Sequence, residues 1–219
     1  MFSEIKPIHR FMPPMLTGRV DNHQTLNKTL LSSFAELQKQ GYRREVFHTD
    51  SDNVFVSEFD LFSQTQLPGI TELRNIIHQV AQNATRSFCG LNDEQMRQLR
   101  YNYESWFHLS GYGSSKGIHS HGEYSWAIIY YIDPGEVLPD KPRNGCLKIY
   151  NPNRVGATIA DFVCEKSTGA YSNDALILTP EAGRFVVIPG YLEHEVMTYW
   201  GQRHRVMVAA NCLVRPKEA

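Results

Sequence analysis

Two periodicities divide the chain. Through residue 96, apolar side chains recur at helical spacing. Leu26, Leu30, Phe34 and Leu37 share a face of one segment, which Asp21-Asn22 can cap and Gly41 ends. Leu73, Ile77, Val80, Ala84 and Phe88 do the same in a second segment, which follows Pro68-Gly69 and stops at Gly90. Between them DNVFVSEFDLF (52–62) is apolar and irregular, and predicts a short strand and its approach. From residue 97 the period is two. Leu99, Tyr101, Tyr103, Phe107 and Leu109 alternate with Arg100, Asn102, Glu104 and His108. Short runs at 124–133, 146–150, 158–165, 175–179, 184–188, 194–199 and 205–214 follow, with turn signals such as DPG, RNG, NPN and EAGR between them. The pattern predicts a mainly β fold with N-terminal helices: a barrel or jelly roll that the helices buttress. No linker or repeat interrupts it. A single domain over 1–219 is expected, with 1–96 as mostly helical support and 97–214 as the β core.

Composition changes this picture little. The 219 residues are 42% apolar and carry a formal charge of −1. There is no basic excess, so neither a nucleic-acid partner nor an anionic membrane surface is expected. The longest apolar runs, such as AIIYYI at 127–132, are too short to span a bilayer. The N-terminus has an early Glu4 and no apolar signal region, so a cytoplasmic location is expected. The four cysteines, Cys89, Cys146, Cys164 and Cys212, lack metal-site spacing and are expected to be reduced.

The chemistry concentrates in GIHSHGEYSW (117–126). On a strand His119, His121 and Glu123 point to one side. Imidazoles and a carboxylate suit a divalent first-row metal, and two histidines with one carboxylate, leaving positions open, is the arrangement of non-haem Fe(II) oxygenases. A distant residue must complete the set. His194 fits, because it follows the strand and Pro-Gly turn of GRFVVIPGYLEHEV and opens the next strand. His108 leads toward this segment and is a candidate pocket residue. His9, His23, His48, His78 and His204 lack partners in the sequence. In RVMVAANCLV both faces are largely apolar, which predicts a central strand covered on both sides. A charge at its start, Arg205 or nearby Arg203, needs an anion or a carboxylate partner, and a guanidinium fits a carboxylate bidentately.

With these residues in hand, the second half resembles the Fe(II)- and 2-oxoglutarate-dependent oxygenase superfamily, most of all its small bacterial and phage group. SWFHLSGYGSSKGIHSHGEYSWAIIYYIDPG, NGCLKIYNP, PEAGRFVVIPGYLEHEV and RVMVAANCLV carry the likeness, in the family's order. The resemblance implies a double-stranded β-helix, a jelly roll. It implies Fe(II), 2-oxoglutarate and O2 as cofactor and co-substrates, with succinate and CO2 as co-products. The substrate is then a small molecule or an amino-acid side chain, hydroxylated at a C–H bond. His121 and Glu123 would be the H-x-D/E pair and His194 the distal histidine, with His119 as the alternative ligand. Arg205 would bind the co-substrate's distal carboxylate, with Arg203 as the alternative. Met207 stands where the family often has a small hydroxyl residue. Tyr103, Trp106, Tyr124 and Trp126 are candidate pocket walls.

Two other readings compete. A cupin metal enzyme would explain G-x5-H-x-H, but Tyr191 and Thr198 depart from its second motif, and it has no need of Arg205. A jelly-roll metal-binding module without catalysis would need a closed, four-ligand site.

Overall fold

The computed structural model describes residues 12–44, 53–153, 161–169, 172 and 174–217. Both helical patterns form helices, α1 over His23–Lys39 and α2 over Ile70–Cys89. Leu26, Leu30, Phe34 and Leu37 are buried on α1, and Leu73, Ile77, Val80 and Ala84 on α2. Phe88 is exposed at the end of α2 rather than continuing that face. Asn22 occupies the first cap position in a left-handed conformation and its side chain makes no capping bond. Effective capping appears instead at the short helix α3 (Asp93–Arg97), where Asn92 and Gln95 form a reciprocal capping box.

The strands build two antiparallel sheets. The larger runs β1 (Leu16–Arg19), β8 (Arg184–Pro189), β5 (Trp126–Asp133), β10 (Arg205–Pro216), β3 (Leu99–Ser110) and β2 (Val54–Val56). The smaller runs β4 (Ser114–His119), β9 (His194–Tyr199), β6 (Leu147–Ile149) and β7 (Leu176–Leu178). This is the jelly roll that the alternation predicts. β1 has no readable alternation in LTGR; its pairing with β8 places it at the sheet edge.

Strand parity divides the interior. On β10, Val206, Val208, Ala210 and Cys212 pack toward α1 and α2, while Met207 and Ala209 face the smaller sheet. β10 lies between β5 and β3, so the strand with two apolar faces is central, as predicted. The helices are fastened as well as packed. Asn27 donates to the Ile132 carbonyl at 2.7 Å and accepts from the Tyr130 hydroxyl at 2.7 Å. Trp126 donates to Thr85 of α2 at 3.0 Å. Every polar atom so buried needs such a partner, and these contacts lock the larger sheet beneath its helices.

One predicted strand does not form over its described residues. Of 158–165, residues 158–160 lie outside the described residues, and the rest enters a short helix, α4 (Phe162–Lys166). Phe162 and Val163 are 75% and 71% exposed, so no sheet covers the apolar run. Asp161 accepts a bond from the Val163 amide at 2.7 Å, which favours the helical turn locally.

A three-histidine candidate metal centre

β4 and β9 pair so that His119 lies opposite His194, and β6 places Ile149 opposite His194 on the other side. The expected strand through 119, 121 and 123 is not continuous. β4 ends at His119, and Gly122 adopts a left-handed φ of 55°. Alternation requires extended backbone, so the turn separates the two following positions. His121 turns inward while Glu123 is exposed.

Among the described residues, His119, His121 and His194 form the one group able to hold a metal, with ligand atoms all within 4.8 Å of one another. Glu123 lies outside it. The Nε2 atoms of His121 and His194 are 3.3 Å apart. Two nitrogens held about 2.1 Å from one ion at right angles would stand about 3 Å apart, so the edge fits coordination. His194 donates Nδ1–H to the Leu192 carbonyl at 2.9 Å, which leaves its Nε2 lone pair free. His119 holds Nδ1 2.8 Å from the Gly117 carbonyl, an acceptor that favours the Nδ1–H tautomer. Burial pushes His121 down to about 3 and His194 down to about 4, and the neighbouring imidazoles add to both shifts. Both rings are therefore neutral at pH 7, the form that ligates metal.

The loop carrying His121 is pinned from below. Its amide donates to the Gly190 carbonyl at 2.7 Å. Gly190 in turn packs so tightly that a Cβ there would overlap the Tyr124 carbonyl. The obstacle is backbone, so Gly190→Ala must displace the 120–125 loop. The expected result is a folded protein whose Fe(II) affinity falls at least tenfold, measured by anaerobic titration; unchanged affinity would show that the loop position is not critical.

Beside the histidines a cavity of about 180 Å³ opens between the sheets. That is small beside the ~300–1,000 Å³ of sites for drug-sized ligands, and suits a small acid. Trp106, His108, Tyr131, Met207 and Ala209 line it, with the cations Arg44, Lys116 and Arg205. Among the described residues no acidic side chain does. Arg205 is 1% exposed, and its Nε and Nη2 have no hydrogen-bond partner among the described residues. The Tyr131 hydroxyl is buried and equally without one, and the guanidinium carbon sits 5.4 Å from the centre of its ring. A buried guanidinium with unmet donors is costly, and a bound carboxylate removes that cost.

The structure separates the two candidate arginines. Arg203 is 61% exposed, pairs with Asp133 at 3.1 Å and donates to the Gly135 carbonyl at 3.0 Å. It fastens a surface turn. Of the predicted walls, only Trp106 lines the cavity. Tyr103 faces the helices, where its hydroxyl meets His78 Nδ1 at 2.9 Å. Trp126 bonds Thr85, and Tyr124 flanks the metal loop. His108 does face the cavity. Trp106 donates to its Nε2 at 2.8 Å, which fixes the Nδ1–H tautomer, and burial pushes its pKa down to about 3. His9 and His48 lie outside the described residues. Of the cysteines, Cys146 and Cys212 are free and buried, and Cys89 is free and exposed. Tyr131 and Asn211 are cavity residues not picked out from sequence, although the parity of β5 and β10 marks both.

Residues 104–211 match the family described as "Putative 2OG-Fe(II) oxygenase". No curated protein matches the chain in sequence. Among solved structures, a Pseudomonas putida prolyl-4-hydroxylase superposes with a TM-score of 0.65 at 14% identity, covering 94% of each chain. A Trichoplax adhaerens prolyl hydroxylase, in complex with a hypoxia-inducible-factor peptide, gives 0.63 at 11%, covering 92% of this chain and 84% of that one. The epimerase SnoN, in complex with Fe3+, alpha-ketoglutarate and nogalamycin RO, gives 0.62 at 9%, covering 94% and 82%. At such identities the likeness is one of fold. The family match over residues 104–211, which hold the order of H-x-H, G-x-x-V-x-x-P, His and Arg motifs, places that β core in the 2-oxoglutarate- and Fe(II)-dependent oxygenase superfamily, and the jelly roll agrees with it.

Proposed function

We propose that the protein is a 2-oxoglutarate-dependent hydroxylase acting at a C–H bond of a small molecule or amino-acid side chain. In this reading residues 1–219 act as one domain, His119, His121 and His194 hold Fe(II), and Arg205 with Tyr131 holds the distal carboxylate of 2-oxoglutarate. The observation that carries it is the pairing of two features in one cavity: a metal-competent histidine cluster, and a buried arginine with unmet donors.

The donor set fits the metal. Neutral imidazoles suit a divalent first-row ion, and three ligands leave an octahedral ion with vacant positions. Fe(II) with 2-oxoglutarate supplies the oxidation of an unactivated C–H bond by O2, with decarboxylation of the keto acid to succinate. The chain's part is to bind, orient and exclude. Arg205 and Tyr131 offer three donor atoms to one carboxylate at a fixed distance from the histidines. Met207, Ala209 and Trp106 form apolar walls that keep bulk water from the reacting centre. The neutral Nδ1–H tautomer of His108 adds a donor beside Arg205 without adding charge.

The competing readings fare worse. A closed structural site needs four protein ligands, and Glu123 is outside the cluster. A cupin gives the buried Arg205 no task. Halogenation is disfavoured because a third protein ligand fills the position a halide requires. Anaerobic addition of Fe(II) and 2-oxoglutarate should produce a visible metal-to-ligand charge-transfer band, and air should then yield succinate. Fe(II) binding without the band would overturn the reading.

A further inference from the structure

Asn211 is a polar side chain where packing favours an apolar one. It is 6% exposed, shares its strand face with Met207 and Ala209, and lines the cavity. Its Oδ1 is buried with no hydrogen-bond partner among the described residues. The contrast with Asn27 is direct. That buried amide bonds at both ends, to the Ile132 carbonyl and the Tyr130 hydroxyl, and so has a structural task. Asn211 makes no such bond, and an unmet buried acceptor lowers stability unless a ligand meets it.

Register places Asn211 relative to the rest of the site. β10 runs antiparallel to β5, with Val206 opposite Asp133, Asn211 opposite Ala127 and Cys212 opposite Trp126. The loop bearing His121 enters β5 at Trp126. Arg205 therefore stands at the far end of the cavity and Asn211 at the end near the metal loop. Six steps along the strand separate them by about 20 Å. A five-carbon dicarboxylate anchored on Arg205 and reaching the histidines is too short to continue to Asn211. Trp106, opposite Ala209, has its ring 6.2 Å from that of His121, so the histidines lie between the two ends.

We propose that Asn211 is a specificity-determining contact for the primary substrate, its Oδ1 accepting a hydrogen bond from an N–H or O–H group close to the carbon that is oxidised. The proposal rests on the oxygenase reading for the identity of the reaction. It gives the substrate a chemical class: an amide, amine or alcohol whose donor enters the cavity beside Met207 and Ala209. Sites built to meet such a donor reject analogues that lack it far more strongly than sites that rely on shape.

The test compares wild type with Asn211→Leu and Asn211→Asp. Leucine removes the unmet acceptor at similar volume, so the apo-protein should melt about 2–4 °C higher. The 2-oxoglutarate affinity, read from the charge-transfer band, should stay within about twofold. N-methylacetamide at saturating concentration, a minimal N–H donor, should shift that band in wild type and Asn211→Asp but not in Asn211→Leu. A lower melting temperature in Asn211→Leu would make Asn211 structural and overturn the proposal. A tenfold loss of 2-oxoglutarate affinity would assign it to the co-substrate, with the same consequence. So would a band that N-methylacetamide leaves unmoved in wild type. Absence of any band in wild type would instead sink the oxygenase reading, and the melting comparison would still decide whether Asn211 serves stability.

Discussion

Replacing Arg205 with methionine is expected to abolish 2-oxoglutarate binding and, at the same time, to stabilise the ligand-free protein. The two effects have one cause. Arg205 is almost wholly buried, and two of its nitrogens make no hydrogen bond among the described residues. In the ligand-free state a well-packed apolar side chain of similar length avoids that desolvation; such replacements stabilise by about 1–4 kcal/mol. For a chain of this length each kcal/mol is about 2–4 °C of melting temperature. In the bound state the same change strands a carboxylate. Truncating one partner of a buried charge pair costs about 2–5 kcal/mol, which is roughly 30-fold to several thousand-fold in Kd. Melting curves and titration of the charge-transfer band read the two effects separately. Arg203→Met is the control. Its ion pair is exposed, so stability should change by no more than about 1 kcal/mol and co-substrate affinity should not change. A loss of stability in Arg205→Met, with affinity intact, would show that Arg205 serves the fold.

The second large effect separates His119 from Glu123. The three-histidine proposal predicts that His119→Ala lowers Fe(II) affinity more than 100-fold and stops succinate formation, whereas Glu123→Ala stays within about twofold. Reasoning from sequence favours the opposite, because H-x-E beside a strand matches the superfamily pattern. The geometry supports the histidine. His119 holds its ring 4.3 Å from that of His194, centre to centre, and Glu123 sits exposed beyond a left-handed glycine. Anaerobic Fe(II) titration of both variants decides between the sets. If only Glu123→Ala loses the metal, the carboxylate enters the site on binding, and His119 is a neighbour.

Much of the fold is legible because its periods are long and clean. α1 and α2 repeat apolar residues over many turns, β3 alternates along most of its length, and β5 and β10 are long apolar runs of the kind a covered central strand shows. Short or exposed segments are not. β1 is held by the backbone of β8, a partner with no trace in LTGR itself. The 158–165 run has strand-like residues, yet its described part is an exposed helix, because β propensity needs a covering sheet. The same limit affects the site. H-x-H-x-E announces a metal, but alternation alone cannot foresee a left-handed Gly122 that sends His121 inward and Glu123 out.

The sequence by itself determined the class of fold, and it marked the segments with metal-ligand residue types and His194 and Arg205 as distant candidates, since these are written in residue type, order and period. Only the tertiary structure decided which of neighbouring candidates face one another. Pairing of β4 with β9 sets His119 against His194, and the buried start of β10 draws in Arg205 while a surface turn keeps Arg203. Strand parity also turned Trp106 and His108 toward the cavity and Tyr103 and Trp126 toward the helices. The reason is physical: a ligand set is a matter of a few ångströms between elements far apart in the chain, and those distances are fixed by strand register and packing.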